Sequence, residues 1–275
     1  MLVIHPSSKK ALDSTVQKPP HALLLTGKDG IGLTTIAQHY AKQTKEQMMI
    51  VLPEKEGKVD TEKGTITVES IRRLYDILRT VEPKGRVVII DYAERMAPAA
   101  QNAFLKLLEE PAPGNRFVLL THQTETLLPT IASRSQKINI QPVTVDQSLA
   151  LLDTLKVTDA TKRAQLMFIA EGLPAELTRL ATNEKMFDDR VSIVKDARSL
   201  AMGSPYERLL LAKKYKDSRI EALTLIEDAL MILRLTLAKN GDAATLRMLS
   251  RFEMLHKRLS ERGNVRLQLS ATVVM

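Results

Sequence analysis

The chain has no cysteine and no tryptophan, and aromatic residues make up only 4% of its 275 positions. Without thiols there is no disulfide, no thiolate zinc site and no cysteine nucleophile, an absence that fits a reducing cytoplasm. Long apolar runs are missing as well. No window reaches the roughly 18 uninterrupted apolar residues of a membrane span; the most apolar late segment, EALTLIEDALMILRLTLAK, carries Glu227, Asp228 and Arg234. The opening MLVIHPSSKK lacks the basic head, apolar stretch and small-residue cleavage site of a secretory signal, in that order. Its five histidines have no metal-ligand spacing, and no serine stands in a nucleophile-elbow pattern. What remains is the balance of an ordinary globular protein, 44% hydrophobic and 26% charged. The net charge of +8 is compatible with an acidic partner such as nucleic acid. The scarcity of aromatics leaves little for base stacking.

Length suggests about two domains at roughly 150 residues each. The first half alternates short apolar runs with helical patterns, as βαβ units around a parallel sheet do. HALLLTG reads as a buried strand, and TTIAQHYAKQTKE puts Ile36, Ala37, Tyr40 and Ala41 at helical spacing. MMIVLP is a second apolar run, and the polar EKEGKVDTEKGTIT after it reads as an exposed loop or hairpin. VESIRRLYDILRTVE brings Val68, Ile71, Leu74, Tyr75, Leu78 and Val81 onto one face. RVVIID and RFVLLTH are apolar through their middles, as strands covered on both faces should be. Between them, PAAQNAFLKLLEEP is a helix opened by Pro98 and stopped by Pro111. Beyond about residue 142 the pattern is helical throughout, opening with three short helices and broken later at GSP (203–205), NGD (240–242) and RGN (262–264). The expected organisation is a three-layer α/β domain over 1–141, a three-helix domain over 142–183 and an all-α domain over 184–275.

The first strand runs into TGKDGIGLTT and a helix. Gly27, Gly30 and Gly32 permit the tight path that aims backbone amides at a phosphate, and a helix N-terminus adds its dipole. Against the pattern G-x-x-x-x-G-K-[ST], Gly27, Gly32 and Thr34 fit, but Leu33 stands where the lysine belongs. A unit charge at about 4 Å is worth roughly 4 kcal/mol at an effective dielectric near 20. Its loss weakens nucleotide binding by about three powers of ten. Asp91 closes the strand RVVIID where such ATPases hold magnesium, yet Tyr92 follows it in place of a glutamate. A phenol of ordinary pKa about 10 is a poor base at neutral pH. Two lesions in one site point to a non-hydrolysing relative. A working site with Lys28 and Glu94 as replacements is the competing reading.

The runs IIDYAERMAPAAQNAFLKLLEEP and NRFVLLTHQTETLLPTIASRS closely resemble the bacterial DNA polymerase III clamp-loader subunits, which are AAA+ proteins. Asn102, Ala103, Leu105, Lys106, Leu108, Glu109, Glu110 and Pro111 match one family element. Ser133 and Arg134 match its Ser-Arg-Cys motif, with Ser135 in place of the cysteine. HALLLTGKDGIG, GTITVESIRRL and GNVRLQL are similar to further family segments. The resemblance spans nearly the whole chain and is strongest to the delta-prime type, which keeps the Ser-Arg motif beside a degenerate phosphate loop. It implies an AAA+ domain, a helical lid and a helical collar. The family's four-cysteine zinc module is absent, so no zinc is implied, and of the sensor positions, taken as Thr121 and Ala175, the second lacks its usual arginine.

By the same resemblance, Arg134 is an arginine finger acting in trans on ATP bound by a neighbour, with Ser133 beside it. No nucleotide is expected to bind this chain tightly. The implied partners are ATP-hydrolysing subunits of gamma or tau type, a delta subunit, a sliding clamp, and primed DNA reached through the complex; no membrane is implied. Read from the residues alone, without the motif, Arg134 is an ordinary surface arginine or one paired with a helix carboxylate. Lys213, Lys214, Lys216 and Arg219 form the densest basic cluster, read as a solvated helix end. A stand-alone basic nucleic-acid-binding protein is the third functional reading.

Overall fold

The computed structural model describes residues 2–80, 82–261 and 263–274; Val81 and Arg262, named above, lie outside the described residues. The chain divides into two compact units, Met1–Thr182 and Asn183–Met275. In the first unit the order is α1 (Pro6–Gln17), β1 (Ala22–Thr26), α2 (Leu33–Thr44), β2 (Gln47–Val51), β3 (Glu54–Lys55), β4 (Lys58–Val59), α3 (Val68–Leu78), β5 (Arg86–Ile90), α4 (Pro98–Glu109), β6 (Asn115–Thr121), α5 (Pro129–Ser133), β7 (Gln136–Asn139), α6 (Val145–Thr154), α7 (Ala160–Ala170) and α8 (Pro174–Thr182).

Five strands form a parallel sheet in the order β2-β5-β6-β1-β7. Alternation along the central strands sends side chains to opposite faces. Leu24, Val88, Ile90, Phe117 and Leu119 pack with residues of α3 and α4, including Leu74 and Phe104. Leu23, Leu25, Val87, Ile89, Val118 and Leu120 pack with Leu12 of α1 and Ile36, Ala37 and Tyr40 of α2. This is the three-layer arrangement that continuous apolar strands require. β2 lies at an edge, with Gln47 and Met48 exposed. The polar stretch after it is a hairpin of β3 and β4, followed by a turn held by the Asp60 carboxylate on the amides of Glu62 and Lys63 at 3.0 and 2.7 Å.

Three elements of this unit carry too little pattern to be read in advance. α1 buries one large apolar residue, Leu12; α5 and β7 are five and four residues long. One expectation fails: Tyr75 does not join the buried face of α3 but is 42% exposed, with the Arg79 guanidinium 4.7 Å from its ring centre. Ile71, Leu74 and Leu78 alone complete that contact.

The second unit contains α9 (Glu184–Met202), α10 (Pro205–Lys214), α11 (Arg219–Asn240), α12 (Ala243–Ser260) and α13 (Val265–Ser270). Its core gathers Leu200, Leu225, Ile226, Leu233, Phe252, Leu259 and Leu269. Arg190 and the buried Asp228 pair through two contacts, one at 2.7 Å. A helix boundary at 215–218 splits the basic cluster, and much of that cluster is used internally. Lys214 and the Tyr215 hydroxyl both reach Asp196 at 2.6 Å, and Arg219 donates to the carbonyls of Leu259 and Gly263. Among the described residues, no helix is long and apolar enough to cross a membrane.

Candidate functional site: a closed phosphate loop and an exposed arginine

The loop joining β1 to α2 lies beside the C-terminal ends of β5 and β6, where α/β sheets place their ligand crevices. Gly30 and Gly32 have φ of +80° and +91°, a region that residues with a Cβ avoid. The turn expected of a phosphate loop is therefore present. Its surroundings are not those of an open one.

Leu33 is 2% exposed and belongs to the apolar cluster under the sheet, with Leu23, Leu25 and Ile36. Thr34 donates its hydroxyl to Oδ2 of Asp91 at 2.7 Å. The other oxygen of Asp91 accepts from the amide of Tyr92 at 3.0 Å. Burial pushes the Asp91 carboxyl above the ordinary range, partly opposed by those hydrogen bonds and by nearby His122. Tyr92 holds a left-handed backbone, φ 53° and ψ 51°, strained for a bulky residue. Its hydroxyl is raised further by burial and then by the Asp91 charge, so it is a weaker acid than a free phenol.

The loop is covered from α8. The carbonyl of Gly30 accepts the amides of both Ala175 and Glu176 at 3.0 Å. A methyl group on Gly30 would lie 2.8 Å from Cβ of Glu176, and one on Gly32 would lie 3.2 Å from Cβ of Ala175. The N-terminal residues of α8 thus sit against the glycine loop.

Of the two positions expected to be sensors, Thr121 ends β6 beside Thr26, the residue before the loop. It is fully buried, and its hydroxyl oxygen accepts the amide of Gln123 at 3.0 Å. Its neighbour His122 reaches across instead, with Nδ1 2.8 Å from the carbonyl of Gly27 and its ring edge-on to Tyr92. Sequence reasoning passed over His122 because it weighed histidines only as metal ligands; its place directly after an apolar strand was the available signal. Lys28 is exposed. Glu94 sits on the 3-10 turn Ala93–Arg95, with Oε2 buried and without a hydrogen-bond partner among the described residues.

Arg134 stands at a helix end rather than on a strand. It is the C-cap of the short helix α5, with φ −92° and ψ 0°, just before β7. Pro129 opens that helix and buried Ile131 anchors it. The guanidinium is 39% exposed and pairs with Glu109 of α4 at 2.9 Å. Ser133 turns its hydroxyl back onto the carbonyl of Thr130 at 3.1 Å.

The family described as DNA polymerase III, delta subunit, matches residues 46–144, which include Asp91 and Arg134. The delta-prime subunit of DNA polymerase III from Bacillus subtilis is 34% identical over 116 residues, 42% of this chain and 34% of that protein. Its counterpart from Pseudomonas aeruginosa is 29% identical over 207 residues, 66% of this chain and 61% of that protein. The matches thus span about a third and three-fifths of those relatives. In fold, the chain is similar to a DNA polymerase III gamma subunit-related protein from Thermotoga maritima, with TM-score 0.53 and 19% identity, covering 96% of this chain and 97% of that one. With its five-stranded parallel sheet, glycine loop and Ser-Arg element, the chain is similar in sequence to the delta-prime subunits of bacterial DNA polymerase III over part of its length, and in fold to a gamma subunit-related protein.

Proposed function

We propose that the chain is a clamp-loader subunit that does not hydrolyse ATP itself and lends Arg134 to the ATP site of an adjacent subunit. One observation carries the first half of this reading. Groups that a triphosphate and its magnesium would engage are occupied within the chain: the Thr34 hydroxyl by Asp91, and the donor amides of Ala175 and Glu176 at the start of α8 by the carbonyl of Gly30. Leu33 supplies no ammonium and Tyr92 no carboxylate. These residues do not fit a bound nucleoside triphosphate, and no chemical step is assigned to them.

The second half rests on Arg134, an accessible guanidinium on a turn held by buried Ile131. A cation presented in this way stabilises the charge that develops on a transferring phosphoryl group held by a neighbour, on the order of a thousandfold or more. In this reading, residues 142–183 form the lid and 184–275 the collar. The gamma-type motor subunits, a delta subunit, the sliding clamp and primed DNA are reached through the complex. Neither zinc nor a tightly held nucleotide belongs to this chain.

Equilibrium binding of a labelled ATP analogue to the purified chain tests the first half. No magnesium-dependent binding at micromolar concentration is expected; such binding would favour the divergent ATPase with Lys28 and Glu94. ATP hydrolysis by the reconstituted complex tests the second, and an Arg134→Ala complex as active as wild type would remove the finger.

A further inference from the structure

We infer that Glu109 is the positioning residue that aims Arg134 at the neighbouring subunit; the inference rests on the finger reading above. Glu109 is the last residue of α4, and the C-cap after it is Glu110. Carboxylates at a helix C-terminus face the negative end of the helix dipole, so this placement is unfavourable on local grounds. The guanidinium of Arg134, 2.9 Å from Oε1 of Glu109, offsets it.

The same guanidinium is held from a second side. Its Nη1 donates to the carbonyl of Thr130 in α5 at 3.3 Å. Arg134 is therefore held both by the end of α4 and by the first turn of α5, the helix it caps. Phe104 of α4 packs edge-on against Phe117 of β6, ring centres 5.2 Å apart. Gln101 of α4 ties the two helices together, accepting the amide of Leu128 at 2.8 Å and donating to the carbonyl of Thr126 at 3.1 Å.

An arginine has five N–H donors in a fixed fork. The contacts to Glu109 and Thr130 use one side of each terminal nitrogen, and Nε has no partner among the described residues. The remaining donors stay open to a phosphate. An exposed ion pair of this kind contributes little to stability. It does remove most of the rotamer freedom of a long side chain, the restriction that a transition-state contact needs in advance.

The test is steady-state ATP hydrolysis by the complete complex, assembled from this chain and the ATP-hydrolysing subunits of the same source, with co-elution and melting confirming assembly. Glu109→Gln is expected to lower kcat between about ten- and a hundredfold with KM for ATP unchanged, and Glu109→Asp to recover part of the loss. In an Arg134→Ala background, Glu109→Gln should cost nothing further, because the two act as one unit. Full activity in Arg134→Ala would remove the finger reading and this inference with it. Loss in Arg134→Ala beside wild-type kcat in Glu109→Gln would overturn the positioning role alone. A Glu109→Gln loss that persists in the double variant, or that appears as failed assembly, would equally assign Glu109 another role.

Discussion

Thr34 and Asp91 are hydrogen-bonded to each other across 2.7 Å, joining the start of α2 to the end of β5. In a working phosphate loop these two side chains meet through a magnesium ion. Here they meet directly, and the carboxylate is buried.

That burial has a pH signature. Asp91 is raised by desolvation, so the folded state holds its proton more firmly than the unfolded chain. Its contribution to stability is fully present below the unfolded value of about 3.9 and is lost as pH rises through the higher folded value. Asp91→Asn removes this dependence. Urea unfolding between pH 4 and 7 should therefore show the variant gaining on wild type as pH rises. A gap moving the other way would contradict the assignment.

Leu33 is a core residue before it is a lost lysine. Leu33→Ala should cost about 2–4 kcal/mol in urea unfolding, the usual range for a fully buried leucine. Leu33→Lys should destabilise the fold and still leave labelled ATP unbound at micromolar concentration, because Thr34 and Asp91 remain paired and the amides of Ala175 and Glu176 remain bound to the loop. Tight ATP binding by that variant would show that one side chain alone had closed the site.

Gly30 and Gly57 share a positive φ, +80° and +76°, but differ in their surroundings. A Cβ on Gly30 meets Cβ of Glu176 at 2.8 Å, whereas one on Gly57 meets nothing within 4 Å. Both alanine variants carry backbone strain of about 1 kcal/mol or more. Only Gly30→Ala should also speed hydrogen exchange at the amides of Ala175 and Glu176. Equal exchange in the two variants would mean that α8 is not seated through the loop.

Arg134→Ala separates function from stability. The Arg134–Glu109 pair is exposed, so the isolated chain should keep its stability within about 0.5 kcal/mol. ATP turnover by the assembled complex should fall on the order of a thousandfold. A large loss of melting temperature in the isolated chain would mark the pair as structural.

Periodicity and punctuation were enough to place the apolar strands at Ala22, Arg86 and Asn115, the helix between Pro98 and Pro111, the three short helices after residue 142, Leu33 in the place of a phosphate-loop lysine and Tyr92 after the acidic strand end. Those features are legible because burial on both faces demands unbroken apolar runs and because a loop of glycines has few alternatives. The sequence did not disclose α1, β7, the helix that carries Arg134, or the outward turn of Tyr75. α1 and β7 depend on neighbours distant along the chain: Ser8 of α1 bonds the amide of Gln141 at 2.8 Å, and β7 forms by pairing with β1. Nor could a one-dimensional pattern reveal that His122 rather than Thr121 reaches Gly27, or that Glu109 meets Arg134 from 25 positions away. A missing lysine can be read from the chain alone, but which donors close around the space it leaves is decided by the packing of α8 and β6 onto the loop.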